Sequence, residues 1–319
     1  MLTRLHTLAQ ASQADGEFRA GGTDLHDRLR SGVSDGPLVD IIGLPGLDGI
    51  DRQDDGCEIG ALLSLDGLAR NPDIVRDYPG LAQAAAGLAT PQIRRAATVG
   101  GCLLQRTRCA YFRHPDLACT RKGDAACGGR KGVHDNGVIF DQGGCAHPHA
   151  SSLGMALLAY DGRVRTTERE MSIADLYGGG SAHDRDHLLA PGELLTHVLL
   201  PPPAPGERAA YLRAISRAEA EWPIVESLVR LFVNNGTVTE ARVAAGAVSQ
   251  VPLRLHGVEA ALVGRPAQAG TWGAAAARAG EGANPLPQAA WKVTMLERTV
   301  LTALEQAAAH ETVQTQTAG

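Results

Sequence analysis

The sequence predicts an α+β fold in two parts, and three observations support this prediction. The chain has 319 residues, which is enough for two or three domains with separate cores. Up to about residue 200, short apolar runs alternate with glycine turns and helical patterns, and a proline-rich linker follows at 201–205. Beyond the linker, long strand patterns come first and helical patterns follow them. We therefore expect a mixed helix–sheet part and then an antiparallel sheet with helices.

The first part is expected to span residues 1–200, with subdomains at about 1–55 and 56–200. Ser64 or Asp66 is the expected N-cap of its first long helical pattern, because both side chains can accept hydrogen bonds from helix amides. Residues 88–98 are expected to form a loop. The predicted elements along the chain are strand–turn–helix (17–32), strand and tight turn (37–50), strand–helix (56–75), helix (78–88), helix and β-hairpin (151–177) and strand (192–200).

The second part is expected to span residues 206–312. The segments 208–218 and 223–255 predict three strands, and the Asn-Asn-Gly at 234–236 indicates a hairpin turn between two of them. Helical patterns follow at 255–265, 270–280 and 289–311, the last with apolar residues at helical spacing. The final residues, 313–319, are expected to be disordered.

Composition excludes several classes of protein. The net charge of −5, with mixed signs, argues against a nucleic-acid-binding protein, which would usually be basic. No apolar run is long enough to span a bilayer, and the first 18 residues lack the apolar core of a signal peptide. Six cysteines in a chain of this length do not suggest a disulfide scaffold. We expect a cytoplasmic protein, or one that is exported with a partner carrying the signal.

Two glycine turns suggest an anion site. The sequence Ala-Gly-Gly-Thr-Asp-Leu at 20–25 lies between a predicted strand and helix, and Thr-Val-Gly-Gly at 98–101 is similar. Glycine allows the backbone to approach a ligand closely, and the free amides of a helix start bind anions. Two such turns could hold a pyrophosphate from two sides. Neither turn matches the dinucleotide fingerprint or the P-loop.

Four of the six cysteines lie in one charged segment, at Cys109, Cys119, Cys127 and Cys145. Nine, seven and seventeen residues separate them, whereas zinc sites normally use closely spaced pairs. An iron–sulfur cluster tolerates irregular spacing, and arginines and lysines nearby could offset its negative charge. Buried free thiols remain an alternative, although this segment has little to bury. Cys57 is expected in the core.

Five segments together resemble one family. They are AGGTDL, LVDI, IGALLSL, PQIRRAATVGG and VAAGAVSQVPLRL. In this order they look like the FAD-binding subunit of the xanthine dehydrogenase and carbon monoxide dehydrogenase family of molybdenum hydroxylases. The resemblance covers about residues 12–310. It implies a two-part FAD-binding domain of the vanillyl-alcohol-oxidase-like type, followed by the flavoprotein C-terminal domain.

The segment at about 103–147 is similar to an insert that some members of this family carry after the second glycine turn. In 4-hydroxybenzoyl-CoA reductase and bacterial periplasmic-type aldehyde oxidoreductase, that insert holds a [4Fe-4S] cluster. The resemblance therefore implies Cys109, Cys119, Cys127 and Cys145 as cluster ligands. Cys102 stands where the family usually has asparagine, and we rank it only as a fifth candidate.

The resemblance also implies a set of FAD-binding residues. The two turns would hold the pyrophosphate through their amides, Leu195 would pack against the ring system, and Arg213 would lie near its pyrimidine end. Ser152 takes the position of a family aspartate, so one carboxylate contact is replaced by a hydroxyl. The full expected set is Ala20, Gly21, Gly22, Thr23, Asp24, Leu25, Gln92, Ile93, Thr98, Gly100, Gly101, Ser152, Leu195 and Arg213.

The function implied is electron transfer within an oxidoreductase complex. A large molybdenum-cofactor subunit would act on the substrate, and a small subunit with two [2Fe-2S] clusters would pass electrons to FAD on this chain. The final acceptor is not indicated, and the chain itself is expected to carry no catalytic residue. Two alternatives stay open: a stand-alone FAD-dependent oxidase, and a zinc-stabilised binding module without a redox role.

Overall fold

Three β-sheets follow one another along the chain in a computed structural model that describes residues 1–180 and 182–309. The first sheet has three parallel strands in the order β1-β3-β2, and its apolar core includes Leu5, Val39 and Ile41. The strand at residues 2–4 was not expected from the sequence. The elements of this unit are β1 (Leu2–Arg4), β2 (Glu17–Arg19), α1 (Leu25–Arg30) and β3 (Leu38–Asp40).

The second sheet has five antiparallel strands in the order β4-β5-β8-β6-β7. Ser64 caps the first helix of this unit, as expected, because its hydroxyl accepts a hydrogen bond from the Gly67 amide. The elements are β4 (Ile50–Gln53), β5 (Gly56–Gly60), α2 (Leu65–Arg70), α3 (Pro72–Asp77), α4 (Pro79–Gly87), α5 (Pro91–Ala96), α6 (Val99–Leu103), α7 (Ala110–Arg113), α8 (Gly128–Lys131), α9 (Ser152–Ala159), β6 (Arg163–Thr166), β7 (Glu170–Ser172), α10 (Ile173–Tyr177) and β8 (Leu195–Leu200).

The helix α5 corrects the expectation of a loop at 88–98. Thr90 accepts a hydrogen bond from the Ile93 amide at 3.3 Å, and Pro91 occupies the first helical position. A proline there costs no hydrogen bond, because the first amides of a helix have no partner within it. The helix was missed because it has only six residues, none of them buried.

The third sheet is antiparallel, in the order β12-β11-β10-β9, as the strand patterns predicted. Its central hairpin turns at Asn235 and Gly236, both with positive φ, which suits the Asn-Gly pair of a type I′ turn. The elements are β9 (Glu207–Ala214), β10 (Val225–Asn234), β11 (Thr237–Gly246), β12 (Leu253–Arg254), α11 (His256–Leu262), α12 (Ala269–Ala276) and α13 (Lys292–Ala309). The predicted disordered tail, 313–319, lies outside the described residues.

The cysteine insert at 103–147 connects the units. It contains the short helices α7 and α8 and a 3-10 helix at Thr120–Lys122, and its second half is bound to the C-terminal unit. The Ile139 amide donates to Val248 O at 2.8 Å, and the ammonium of buried Lys292 donates to Gly137 O at 2.9 Å. Within the described residues, no helix is both long and apolar enough to cross a membrane.

Candidate functional site

A cavity of about 580 Å³ lies where the first unit, the second unit and the insert meet. One wall is the first glycine turn, and a second wall is the start of α6. The insert and the loop at 184–194 close the other sides. Its volume falls within the range of small-molecule and cofactor sites. The sequence-predicted residues that line it are Ala20, Gly21, Gly22, Thr23, Asp24, Leu25, Thr98, Gly100, Gly101 and Leu195.

The first glycine turn presents free backbone donors. The amides of residues 21–25 have no acceptor within the described part of the chain. Gly22 has a φ of 70°, which favours glycine, and a Cβ on Gly21 would lie 1.8 Å from the carbonyl oxygen of Ala96. The turn is therefore pressed against the end of α5 in a conformation that side chains would prevent. Five consecutive unpaired amides can hold an anion.

The second glycine turn differs, because its amides are already used. Thr98 is the N-cap of α6, and its hydroxyl accepts from the Gly101 amide at 3.1 Å. The Gly100 amide donates to Ala61 O at 2.8 Å, and the Val99 amide to Leu63 O at 2.9 Å. Three of the four amides of Thr98–Gly101 are therefore bonded within the chain, and a contact of this turn with the pyrophosphate stays a prediction. Thr98, Gly100 and Gly101 line the cavity, and the missing side chains of the two glycines let the backbone form its wall.

Asp24 holds the first turn to the insert. Its carboxylate accepts from Arg113 at 2.6 Å and pairs with Arg108 at 3.0 Å and with Arg28 at 3.0 Å. Burial favours the neutral carboxyl, but the three guanidinium groups outweigh it and hold the pKa of Asp24 below its ordinary value. Asp24 is thus a structural anchor of the cavity wall, and its charge is fully compensated.

The loop at 184–194 and three arginines of the cavity wall were not predicted as site residues. Asp186, on this loop, is buried and accepts from Arg106 at 2.6 Å and from the Thr107 amide at 3.2 Å. It also pairs with buried Arg121. Arg28, Arg106 and Arg121 all line the cavity. No motif marks this loop, since its partners lie some 80 residues away in the sequence.

The remaining predicted residues are placed differently. Leu195 is buried at the cavity wall, as expected. Gln92 and Ile93 are exposed on α5 and do not line the cavity. Ser152 is buried beside Tyr211 and Glu226, and Arg213 donates to the carbonyl oxygens of Glu219 and Glu221.

The four cysteines of the insert lie close together and are all buried. The expectation that this segment has little to bury is wrong, because Phe112, Val138 and Ile139 bring their own apolar packing. Backbone amides near three of the sulfurs act to lower their pKa values: Tyr111 and Phe112 for Cys109, Arg121 for Cys119, and Gly129, Arg130 and Ala146 for Cys127. The thiol of Cys145 donates to the carbonyl oxygen of His147 at 3.7 Å.

The thiols differ in their protonation. Burial raises the pKa of Cys109 and of Cys119. The interaction between the side chains of Cys145 and Cys127 lowers the pKa of Cys127 to about 5 and raises that of Cys145. Of the four thiols, Cys127 is therefore the one whose charged form is favoured, and the other three favour the neutral form. Over residues 1–180 and 182–309, however, no three His, Cys, Asp or Glu side chains converge closely enough to hold a single metal ion.

The basic residues of the insert are used differently from the expectation. Arg108 and Arg113 pair with Asp24, and Lys122 donates to the carbonyl oxygens of His114, Pro115 and Leu117. Most of these charges therefore neutralise carboxylates or cap loops.

The two remaining cysteines lie outside the insert. Cys102 lies on α6 beside Ser151, and Cys57 lies in the core of the second unit, as expected.

Comparisons with known proteins match this architecture. Residues 2–203 match the FAD binding domain in molybdopterin dehydrogenase, and residues 210–307 match the CO dehydrogenase flavoprotein C-terminal domain. The aldehyde oxidoreductase FAD-binding subunit PaoB of Escherichia coli is 32% identical over 96% of this chain and 97% of its own length. The 6-hydroxypseudooxynicotine dehydrogenase complex subunit alpha of Paenarthrobacter nicotinovorans is 28% identical over 92% of this chain and 88% of its own length.

Solved structures show the same fold. Reconstituted CO dehydrogenase from Oligotropha carboxidovorans superposes with a TM-score of 0.75 at 20% identity, covering 97% of each chain. Quinoline 2-oxidoreductase from Pseudomonas putida 86 gives a TM-score of 0.75 at 19% identity, covering 96% of each chain. The fold expected from the resemblance is confirmed.

Proposed function

The chain belongs to the FAD-binding medium subunits of the xanthine dehydrogenase and CO dehydrogenase family, and it is an oxidoreductase subunit. On this premise we propose that it carries electrons between a partner subunit and an external acceptor, through FAD bound in the cavity at the first glycine turn. The observation that supports this proposal most directly is the row of free amides at residues 21–25, in a cavity of about 580 Å³. When bound, FAD connects one-electron carriers to two-electron acceptors.

The proposed FAD site uses the residues that line the cavity. The amides of 21–25 compensate the negative charge of the pyrophosphate, because backbone N–H groups at a turn bind phosphate oxygens. Gly100 and Gly101 keep the opposite wall free of side chains. Leu195 supplies an apolar wall that excludes water. Gln92, Ile93, Ser152 and Arg213 lie outside the lining of this cavity, and their contact with FAD stays a prediction.

We propose that Cys109, Cys119, Cys127 and Cys145 hold a [4Fe-4S] cluster. The backbone amides that act to lower the pKa values of Cys109, Cys119 and Cys127 would stabilise thiolate ligands and help to set the potential of the cluster. Each thiolate of such a cluster bonds a different iron, so the sulfurs need not converge on one point. A zinc-stabilised module does need that convergence, and it is absent among the described residues.

The proposed partners are a large molybdenum-cofactor subunit and a small subunit with two [2Fe-2S] clusters. Two relatives are themselves parts of larger enzymes: an aldehyde oxidoreductase FAD-binding subunit and a carbon monoxide dehydrogenase medium chain. We propose domain limits at 1–200 and 206–312. The proposed location is the cytoplasm, or the periplasm if a partner carries the export signal.

Analysis of the purified chain for flavin, iron and sulfide tests this function. We expect one FAD and about four iron atoms per chain, with flavin bands on a broad iron–sulfur shoulder in the visible spectrum. Cys119→Ser should lose the iron, whereas Cys102→Ser should keep it, because Cys102 lies outside the group of four. Zinc in place of iron would support the binding module. Turnover by the isolated chain would support a stand-alone oxidase, and a folded chain without FAD would refute the proposal.

A further inference from the structure

Arg121 occupies a position between the two proposed sites. Its side chain is 2% exposed and lines the cavity beside Asp186. Its backbone amide lies near the sulfur of Cys119, and its guanidinium lies within electrostatic reach of Cys119 and Cys145. One residue therefore faces the cavity while its charge acts on two of the four cysteines.

Arg121 shares its carboxylate partner, Asp186, with a second arginine. Asp186 is the carboxylate that faces both Arg121 and Arg106, and it also accepts from the Thr107 amide. Buried Arg121 thus shares Asp186 with half-buried Arg106, on which Glu17 and Asp24 also act. Burying a cation without full compensation is costly, so a further anion in the cavity would stabilise Arg121.

Arg121 also has unused hydrogen-bonding capacity. Its Nε–H is buried and has no acceptor among the described residues. Unlike Arg108 and Arg230, whose Nε atoms are also buried without an acceptor, Arg121 lines the cavity, where a bound group can supply one. The anions that the two proposed sites would bring are the phosphates of the nucleotide and the thiolate-ligated cluster.

We propose that Arg121 serves both sites: it binds a phosphate oxygen of the flavin nucleotide in the cavity, and its charge raises the potential of the cluster at Cys119 and Cys145. This inference rests on the proposed function. It adds a side-chain phosphate contact, contributed by the insert, to the backbone amides of the first turn. The FAD site and the cluster site are then not separable, because they share a residue.

Arg130 provides a matched control. It also lies in the insert, and its guanidinium is within electrostatic reach of Cys127 and Cys145. It pairs with Asp141 and does not line the cavity. Arg130 should therefore influence the cluster without contacting the nucleotide.

The experiment uses the full chain with its iron retained and its flavin removed, titrated with FAD and separately with riboflavin, which lacks phosphate. We expect Arg121→Met to weaken FAD binding about 10- to 100-fold, as for loss of a charged hydrogen bond, and to leave riboflavin binding within about twofold. Arg130→Met should leave both affinities unchanged. Each variant should lower the midpoint potential of the cluster, because each removes a nearby positive charge.

Three results would overturn the inference. If the FAD affinity of Arg121→Met equalled that of wild type, Arg121 would not bind a phosphate of the nucleotide. Equal losses for FAD and riboflavin would show that Arg121 only shapes the wall. If Arg130→Met shifted the midpoint potential of the cluster and Arg121→Met did not, Arg121 would not serve both sites. If Arg121→Met does not retain iron, Arg121→Lys replaces it in the same titrations. Its FAD affinity should lie between that of wild type and the value expected for Arg121→Met. A wild-type chain that binds no flavin would refute the proposed function instead.

Discussion

The two glycine turns have similar sequences but opposite hydrogen-bonding states. At 20–25 the amides of five consecutive residues have no acceptor in the described chain, and these residues line the cavity. At 98–101 the amides are bonded to Leu63 O, Ala61 O and the Thr98 hydroxyl. Glycine therefore makes close approach possible in both turns, but the next few residues decide whether donors remain for a ligand. The free amides of the first turn can bind an anion, whereas the bonded amides of the second turn only shape the wall of the cavity.

Replacing Gly21 should have the largest effect on FAD binding. In Gly21→Ala the new Cβ would meet the Ala96 carbonyl oxygen at 1.8 Å, so the backbone must move and carry the free amides with it. We expect FAD affinity to fall more than about 100-fold, measured by quenching of flavin fluorescence. Gly101→Ala, whose new Cβ meets only the Thr98 hydroxyl within 4 Å, should lose about tenfold or less.

Gly43→Ala controls for the loss of a glycine in the same unit. A Cβ at this position has no heavy atom within 4 Å, so FAD affinity and stability should both remain at wild-type values. Equal losses in Gly21→Ala and Gly101→Ala would contradict the difference between the turns.

Much of the fold could be predicted from sequence because its signals are local. The Ser64 cap, the Asn-Asn-Gly turn and the helical spacing of the last segment each act over a few residues. The helix α5 and the strand at 2–4 were missed because six and three residues carry too little periodicity. The glycine turns likewise identified two walls of the cavity in advance.

The rest of the site depends on contacts that no local pattern contains. Asp24 and Arg113 are 89 residues apart, and Arg106 and Asp186 are 80 apart. The sequence shows that arginines surround the cysteines, but their partners are fixed only when the insert folds against the first unit. For this reason the arginines were assigned to the sulfur atoms, whereas Arg108 and Arg113 pair with Asp24.

Removing the charge of Asp24 should destabilise the first turn more than the second. Asp24→Asn leaves Arg28, Arg108 and Arg113 without this carboxylate, so we expect a loss of about 3 kcal/mol in unfolding free energy at pH 7. The folded pKa of Asp24 is lowered, so its contribution is complete above the unfolded value of about 3.9 and is lost as the pH falls through that value towards the folded pKa.

Urea unfolding between pH 3 and pH 7 measures this contribution. The deficit of Asp24→Asn should be largest near neutral pH and should shrink below about pH 4. Asp48→Asn, at an exposed position of the same unit, should match wild type across the range within about 0.5 kcal/mol. A deficit that stays constant with pH would show that Asp24 acts through packing and not through its charge.

The smallest expected effects separate the two threonines that stand beside the glycines. Thr98 caps α6 from a buried position, so Thr98→Ala should cost about 1 kcal/mol of stability, and Thr98→Ser should recover most of it. Thr23 is exposed at the cavity and caps nothing, so Thr23→Ala should leave stability within about 0.5 kcal/mol and weaken FAD binding about fivefold. Thermal unfolding and FAD titration of the same three variants give both values. If Thr23→Ala lost stability and kept its FAD affinity, the first turn would be a wall like the second, and its free amides would need another ligand.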